Sequence, residues 1–222
     1  EHDGRYDHRE VVIRDGRDRS FDLDGAGFML TTHDSLISDF TDDAELAASY
    51  DAEASALIQQ ITGAVRVQVF DHTRRAASQT LRTAQSMREP SSVIHNDYTQ
   101  WSAEKRLHEI LPDEADELVT RRFAIVNIWR SIAGRVQTNP LAFCDSTTLA
   151  SGDLVEVTRQ AKDRVGQIQM ARFNPDHEWY YFPGMEESEV ALIKTYDSAT
   201  DGRNRFTIHT AFSAPTSPPG AP

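Results

Sequence analysis

From Arg121 onward the chain is a series of short apolar runs separated by turn residues, and this pattern constrains its fold more than any other feature. Phe123-Ala124-Ile125-Val126-Asn127-Ile128-Trp129-Arg130 is the longest run. Leu141–Cys144, Leu154–Val157, Ile168–Phe173, Trp179–Phe182, Val190–Ile193 and Phe206–Phe212 follow it. Asn139-Pro140, Ser151-Gly152-Asp153, Asn174-Pro175-Asp176 and Pro183-Gly184 punctuate the series. Runs rich in β-branched and aromatic side chains between such breakers are strands. Many short strands spaced by roughly 10–15 residues build a sandwich or jelly roll. The N-terminal part supplies helices, so the expected fold is mainly β with flanking helices.

That N-terminal part is more varied. Val11-Val12-Ile13, then Phe21, Leu23, Phe28 and Leu30, suggest two short strands around a Gly25-Ala26-Gly27 turn. Thr41 followed by Asp42 and Asp43 reads as a helix N-cap with acids in the first turn. Ala54, Leu57, Ile58 and Ile61 recur at helical spacing, and Thr62-Gly63 is the stop. Val65, Val67 and Val69 alternate with polar residues, the pattern of a half-buried strand. Residues 73–92 carry Arg74, Arg75, Arg82 and Arg88 without an apolar face, and read as either a lid or an exposed connection. Leu107, Ile110 and Leu111 share a helical face that Pro112 ends, and Asp113 is placed to cap a second short helix.

Chemistry concentrates at Ser91-Ser92-Val93-Ile94-His95-Asn96-Asp97. Residues i and i+2 of a strand point to one face, so His95 and Asp97 project together. They supply two thirds of the 2-His-1-carboxylate triad that holds non-haem Fe(II) with positions left open. A surface loop yields His-x-Asp by chance as well, so a third ligand decides. His209 sits on the last strand, 112 residues after Asp97 (209 minus 97), a layout shared with non-haem iron oxygenases on a double-stranded β-helix. His177, after a turn, is the rival, and reads better as a hydrogen-bonded structural histidine. His72 beside Asp71 is weaker, because adjacent strand residues face opposite ways. His2, His8, His33 and His108 are weaker still.

The charge balance excludes some partners. Lys and Arg number 23 against 35 Asp and Glu, a net charge of −12. Nucleic acid and anionic membrane surfaces need basic patches, so neither is an expected partner. Cys144 is alone, so no intrachain disulfide forms and a cysteine-ligated zinc site is excluded. No apolar run approaches a membrane span, no signal peptide is visible, and a cytoplasmic protein is the default. Oligomeric state is not legible.

Several motifs occur together in order: Asn127-Ile128-Trp129-Arg130, Pro140-Leu141-Ala142-Phe143-Cys144-Asp145, His177 to Met185, Lys194-Thr195-Tyr196-Asp197-Ser198 and His209-Thr210-Ala211-Phe212. With His95-Asn96-Asp97 they resemble the CmcJ/AsaB-like hydroxylase/desaturase family, which includes gibberellin desaturase-like members, over roughly residues 10–215. The resemblance implies a double-stranded β-helix (jelly roll, cupin-like). It also implies Fe(II) as cofactor, 2-oxoglutarate as co-substrate, O₂ as reactant and a small-molecule substrate of secondary metabolism. The implied reaction is oxidative decarboxylation of 2-oxoglutarate to succinate, coupled to hydroxylation, desaturation or ring closure. Ser131 departs from the pattern, since the family usually has proline after Trp-Arg. Family members also continue into a further strand, and the arginine gripping the far carboxylate of 2-oxoglutarate is expected there, beyond Pro222.

On this reading His95, Asp97 and His209 are the metal ligands and carry the catalysis. Arg205, taken to share a strand face with His209, is a candidate for an anionic co-substrate. Arg130 and Lys194 are further anion candidates, and Asn127 shares parity with Trp129 and lines the barrel. Residues 1–214 form one oxygenase-like domain, and 215–222 a proline-rich tail or the start of a further segment. Two other classes stay open: a cupin-like metalloenzyme that does not use 2-oxoglutarate, and a non-catalytic accessory protein of a biosynthetic enzyme.

Overall fold

The computed structural model describes residue 6 and residues 8–161, 164–215 and 217–218. His2 and most of the proline-rich stretch expected at 215–222 lie outside the described residues. Among the described residues ten strands form two sheets. They are β1 (Ile13–Asp15), β2 (Phe28–Thr32), β3 (His95–Asn96), β4 (Ala124–Arg130), β5 (Leu141–Cys144), β6 (Leu154–Ala161), β7 (Arg164–Ala171), β8 (Trp179–Tyr181), β9 (Glu189–Asp197) and β10 (His209–Ala211). The larger sheet has the order β1-β8-β5-β10-β3-β7-β6, and the smaller one β2-β9-β4. All neighbours are antiparallel except β1 on β8.

Register explains what lies between the sheets. Cross-strand partners share a face, so Val155, Met170, His95, His209, Phe143 and Tyr180 form one transverse row on the larger sheet. Phe28, Ile193 and Asn127 form a row on the smaller sheet. The apolar halves of the two rows meet in one cluster, where Phe28 stacks on Phe143 with ring centroids 4.9 Å apart. That interdigitated layer is the core of the jelly roll. The two histidines are the central, polar members of the larger sheet's row, and Asn127 ends the row of the smaller sheet.

Helices cover the outer face of the smaller sheet. Asp42, one residue later than expected, caps α1 (Asp43–Glu45) by accepting from the Ala44 and Glu45 amides. A π-helical turn (Leu46–Tyr50) joins it to α2 (Asp51–Thr62), which ends at Gly63 in the left-handed region. Leu57, Ile58 and Ile61 pack on Val190, Leu192, Met29 and Ile128, the residues of alternate parity to the core row. α3 (Gln79–Gln85) lies within residues 73–92. α4 (Gln100–Ile110) backs β7, with Ser102 Oγ donating to Gln167 O at 2.8 Å, and α5 (Ala115–Leu118) starts after Glu114 rather than Asp113.

Two expected strands are corrected. Residues 64–70 form no ladder, and Val65 is 98% exposed. Alternation alone makes no strand without a neighbour to pair with, and this segment is tied down through Val69 and Phe70 and the Arg66–Glu114 ion pair. Phe21 and Leu23 lie in a turn rather than a strand. That turn is locked at Gly27, whose φ is +90° and whose missing side chain leaves room for Asn204 and Thr207. Thr207 Oγ1 lies 2.7 Å from Lys194 O and 3.1 Å from Gly27 O, within reach of either carbonyl for its one proton.

Candidate metal centre

The larger sheet brings the first two ligand candidates together directly, because His95 on β3 is the cross-strand partner of His209 on β10. Their rings lie 4.7 Å apart. Asp97 is two residues past His95, just outside β3, and keeps the strand parity. Its Oδ1 lies 3.4 Å from His95 Nε2 and its Oδ2 3.8 Å from His209 Nε2. One ligand atom from each residue falls within 4.8 Å of the others. Both histidines are buried, whereas the Asp97 side chain is 31% exposed, so the cluster opens on the carboxylate side.

Hydrogen bonds prepare all three groups for a cation. His95 Nδ1 sits 2.7 Å from Val93 O, and His209 Nδ1 sits 3.0 Å from Thr207 O. A carbonyl only accepts, so each Nδ1 carries the proton and each Nε2 presents its lone pair to the cluster. Burial disfavours the charged form of His209, repulsion from His95 and Arg75 adds to this, and together they outweigh the pull of Asp97; its pKa falls and the ring stays neutral. Burial pushes the Asp97 carboxyl up, but its contacts with the polar His95 and His209 rings and the hydrogen bond from the Asn127 amide outweigh this and hold it below the usual carboxylate range. Two neutral imidazoles and an ionised carboxylate are the donor set that suits a divalent first-row metal. The residues present therefore fit a mononuclear iron site.

Two asparagines hold this geometry. Asn127 Nδ2 donates to Asp97 Oδ2 at 2.6 Å from the facing sheet. Asn127 was placed in the barrel by strand parity, and the structure adds its bond to the carboxylate. Asn96, the middle residue of the motif, points away from the cluster and is fully buried. Its Nδ2 lies within hydrogen-bond reach of Tyr98 O at 2.7 Å, Gln169 Oε1 at 3.0 Å and Thr195 O at 3.0 Å. Its Oδ1 accepts from the Thr207 amide at 3.3 Å. Thr195 is the extra residue of a β-bulge, where the β4–β9 register steps from Ile125–Tyr196 to Val126–Lys194. The bulge frees the Thr195 carbonyl for Asn96. Asn96 thereby joins β3 to the segment whose Thr207 carbonyl orients His209. Sequence reading passed over Asn96, because its role depends on a bulge that local patterning does not signal.

The arginine candidates lie elsewhere. The paired part of the last strand begins only at His209, so Arg205 does not share its face. Arg205 Nε donates to Asp197 O at 2.8 Å, and its guanidinium lies over Tyr196 and Phe206. Arg130 has the parity of Ile128, on the helix-covered face opposite Asn127. It lies over Phe40, donates to Glu187 O at 2.6 Å and floors a groove of about 520 Å³ with Asp34, Ser38 and Glu186. Lys194 is buried between Asp24 at 2.5 Å and Asp197 at 3.0 Å. His177 pairs with Asp153 Oδ2 at 2.9 Å, as a structural histidine would. His72 pairs with Asp51 at 2.7 Å.

Comparison with known proteins agrees with this layout. A family model described as an oxidoreductase/YMDC permease-like domain matches residues 1–222. Among the described residues no helix is long and apolar enough to cross a membrane. The chain is 28% identical to the hydroxylase/desaturase CTB9 of Cercospora beticola, over 95% of the chain and 72% of that protein. It is 31% identical to the Fe(II)/2-oxoglutarate-dependent dioxygenase nvfI of Aspergillus novofumigatus, over 96% of the chain and 78% of that protein. A solved structure of the iron and alpha-ketoglutarate-dependent endoperoxidase NvfI superposes with a TM-score of 0.86 at 28% identity. That match covers 96% of the chain and 80% of the structure. The double-stranded β-helix expected from sequence is the fold of the chain.

Proposed function

Since the chain belongs to the hydroxylase/desaturase family of Fe(II)/2-oxoglutarate-dependent dioxygenases, we propose that His95, Asp97 and His209 hold its Fe(II). The enzyme is an oxidoreductase of secondary metabolism that consumes 2-oxoglutarate and O₂. Its substrate is a small molecule, and hydroxylation, desaturation and oxidative ring closure are all within its chemistry. When bound, the iron supplies the oxygen activation that no side chain can. We assign one oxygenase domain to residues 1–214, and place the enzyme in the cytosol.

One observation carries the assignment of ligands: three donor atoms converge, with both imidazole protons already committed to backbone carbonyls. The roles of the side chains follow. His95 and His209 offer Nε2 lone pairs without losing a proton. Asp97 supplies the single negative charge, and Asn127 takes part of that charge through Oδ2 and fixes the plane of the carboxylate. Phe143, beside His209, and Met170, beside His95, flank the pair with apolar surface and limit water on that side. The Asp97 side remains open to incoming molecules.

The test is succinate formation from 2-oxoglutarate, measured with and without Fe(II). His209→Ala should abolish 2-oxoglutarate consumption and metal uptake together. Full turnover by that variant would remove His209 from the ligand set.

A further inference from the structure

Residues 74–92 form a clasp beside the open side of the metal centre, and the roles assigned above leave its arginines unused. Its two ends pair in parallel through Arg75 and Arg88. The Ala76 amide donates to Arg88 O at 3.0 Å, and the Arg88 amide to Arg74 O at 2.9 Å. Arg82 Nη1 donates to Ala77 O at 2.8 Å and ties α3 to the same strip. The Ala211 amide donates to Ser91 O at 2.8 Å, which anchors the clasp on β10 two residues after His209.

Side-chain direction then separates two neighbouring arginines. Arg74 reaches outward to the Asp43 carboxylate and to Thr41 O. Arg75 follows it on extended backbone and turns the opposite way. Its charge is felt by both Asp97 and His209. A third arginine comes from the hairpin at the sheet edge. Val155, Val157 and Arg159 share the face of Met170 and His95. Arg159 is opposite Gly166, where a side chain would meet nothing within 4 Å.

The charge around these residues is unbalanced. The chain carries −12, and half of its arginines with described side chains have a carboxylate partner in the structure. Among the described residues Arg75 makes one hydrogen bond, Nη1 to Glu89 O at 2.6 Å, and no ion pair. The Arg88 and Arg159 side chains make neither. All three residues are exposed. The Arg75 guanidinium is nevertheless partly enclosed, which lowers its pKa, and the charges of Arg88 and Arg159 add to that against the pull of Asp97. Three like charges repel one another, and an incoming anion relieves that repulsion. Guanidinium groups match a carboxylate in geometry as well as in charge.

We propose that Arg75, Arg88 and Arg159 form a carboxylate-binding site at the mouth of the metal centre, and that its ligand is an organic acid. This deepens the function proposed above and rests on it. The acid has two possible sources, the substrate itself or the far carboxylate of the co-substrate. Three guanidiniums exceed what one co-substrate carboxylate needs, which favours the substrate.

Calorimetry on protein loaded with Mn(II) separates the sources. One arm titrates 2-oxoglutarate against 2-oxopentanoate, which keeps the chelating end and lacks the far carboxylate. The other arm, at saturating 2-oxoglutarate, titrates 4-phenylbutanoate against its amide. Wild type should prefer the acid by about tenfold or more, the loss expected for a charge-assisted hydrogen bond. Arg88→Ala and Arg159→Ala should each shrink that preference to roughly threefold or less, and Arg159→Lys should retain part of it. If instead the 2-oxoglutarate preference collapses in these variants, the site holds the co-substrate's carboxylate. Preferences unchanged in both arms would overturn the proposal. Failure of wild type to take up Mn(II) would strike the metal assignment, and the acid-against-amide comparison on metal-free protein would still decide the arginine site.

Discussion

Replacing Asn127 by Ala isolates the support that the small sheet gives to the metal centre. The side chain makes one described bond to the cluster, Nδ2 to Asp97 Oδ2 at 2.6 Å. Hydrogen bonds to a charged group contribute about 1.5–3 kcal/mol. The same bond sets which face of the carboxylate points at Nε2 of each histidine, and groups in that position typically govern metal affinity by about 10–100-fold. The two figures agree, because about 1.4 kcal/mol corresponds to a factor of ten. The expected outcome is a 10–100-fold loss of Mn(II) or Fe(II) affinity, measured by chelator competition on metal-free protein. Thermal unfolding of the metal-free form should show a loss of no more than about 1.5–3 kcal/mol, because the Ile193 and Trp129 packing around position 127 is untouched. Asn127→Asp is the informative partner. It sets a second carboxylate against Asp97, so the metal-free protein loses stability and regains it on adding metal. A metal affinity for Asn127→Ala within about threefold of wild type would refute the positioning role.

Asn96→Ala should behave in the opposite way. It strands the Tyr98 and Thr195 carbonyls and the Thr207 amide in a fully buried place, at about 1–3 kcal/mol each, so chemical denaturation of the metal-free protein should show at least about 3 kcal/mol lost. Asp197 is buried, and burial pushes its carboxyl up. Arg122, the Ala199 amide and Lys194 outweigh this and hold it below its ordinary value. A depressed carboxyl stabilises the fold above its unfolded pKa and loses that contribution as pH falls through the folded value. Stability below about pH 4 should therefore decline less steeply in Asp197→Asn than in wild type, while the variant is less stable at pH 7. The Cys144 thiol is buried and its pKa is pushed up to about 12 by that burial. It should resist thiol reagents in the native protein at pH 8 and react once the protein is unfolded; fast native labelling would contradict its packing in the core.

The sequence by itself determined most strands from residue 123 onward, the shared face of His95 and Asp97, and the late strand that carries His209. Each of these is a one-dimensional property. Strand period is two residues, so parity along a single strand survives translation into any sheet. The family motifs between residues 95 and 212 carried the rest of the functional reading. Only the tertiary structure decided which strands are neighbours, and neighbours decide contacts. Val65, Val67 and Val69 have the alternation of a strand and no ladder, because no strand pairs with them. Arg205 has the right spacing from His209 and the wrong setting, because the backbone between them is unpaired and the guanidinium settles on Tyr196 and Phe206. Arg130 was sent to the helix face by its odd step from Asn127. Asn96 gained its role from a bulge at Thr195, on a strand about a hundred residues away. Arg75 and Arg159 stand 84 residues apart in the chain (159 minus 75). The β3–β7–β6 pairing sets Arg159 on the face of His95, whereas Arg75 comes from the segment that pairs with Arg88 and is anchored on β10.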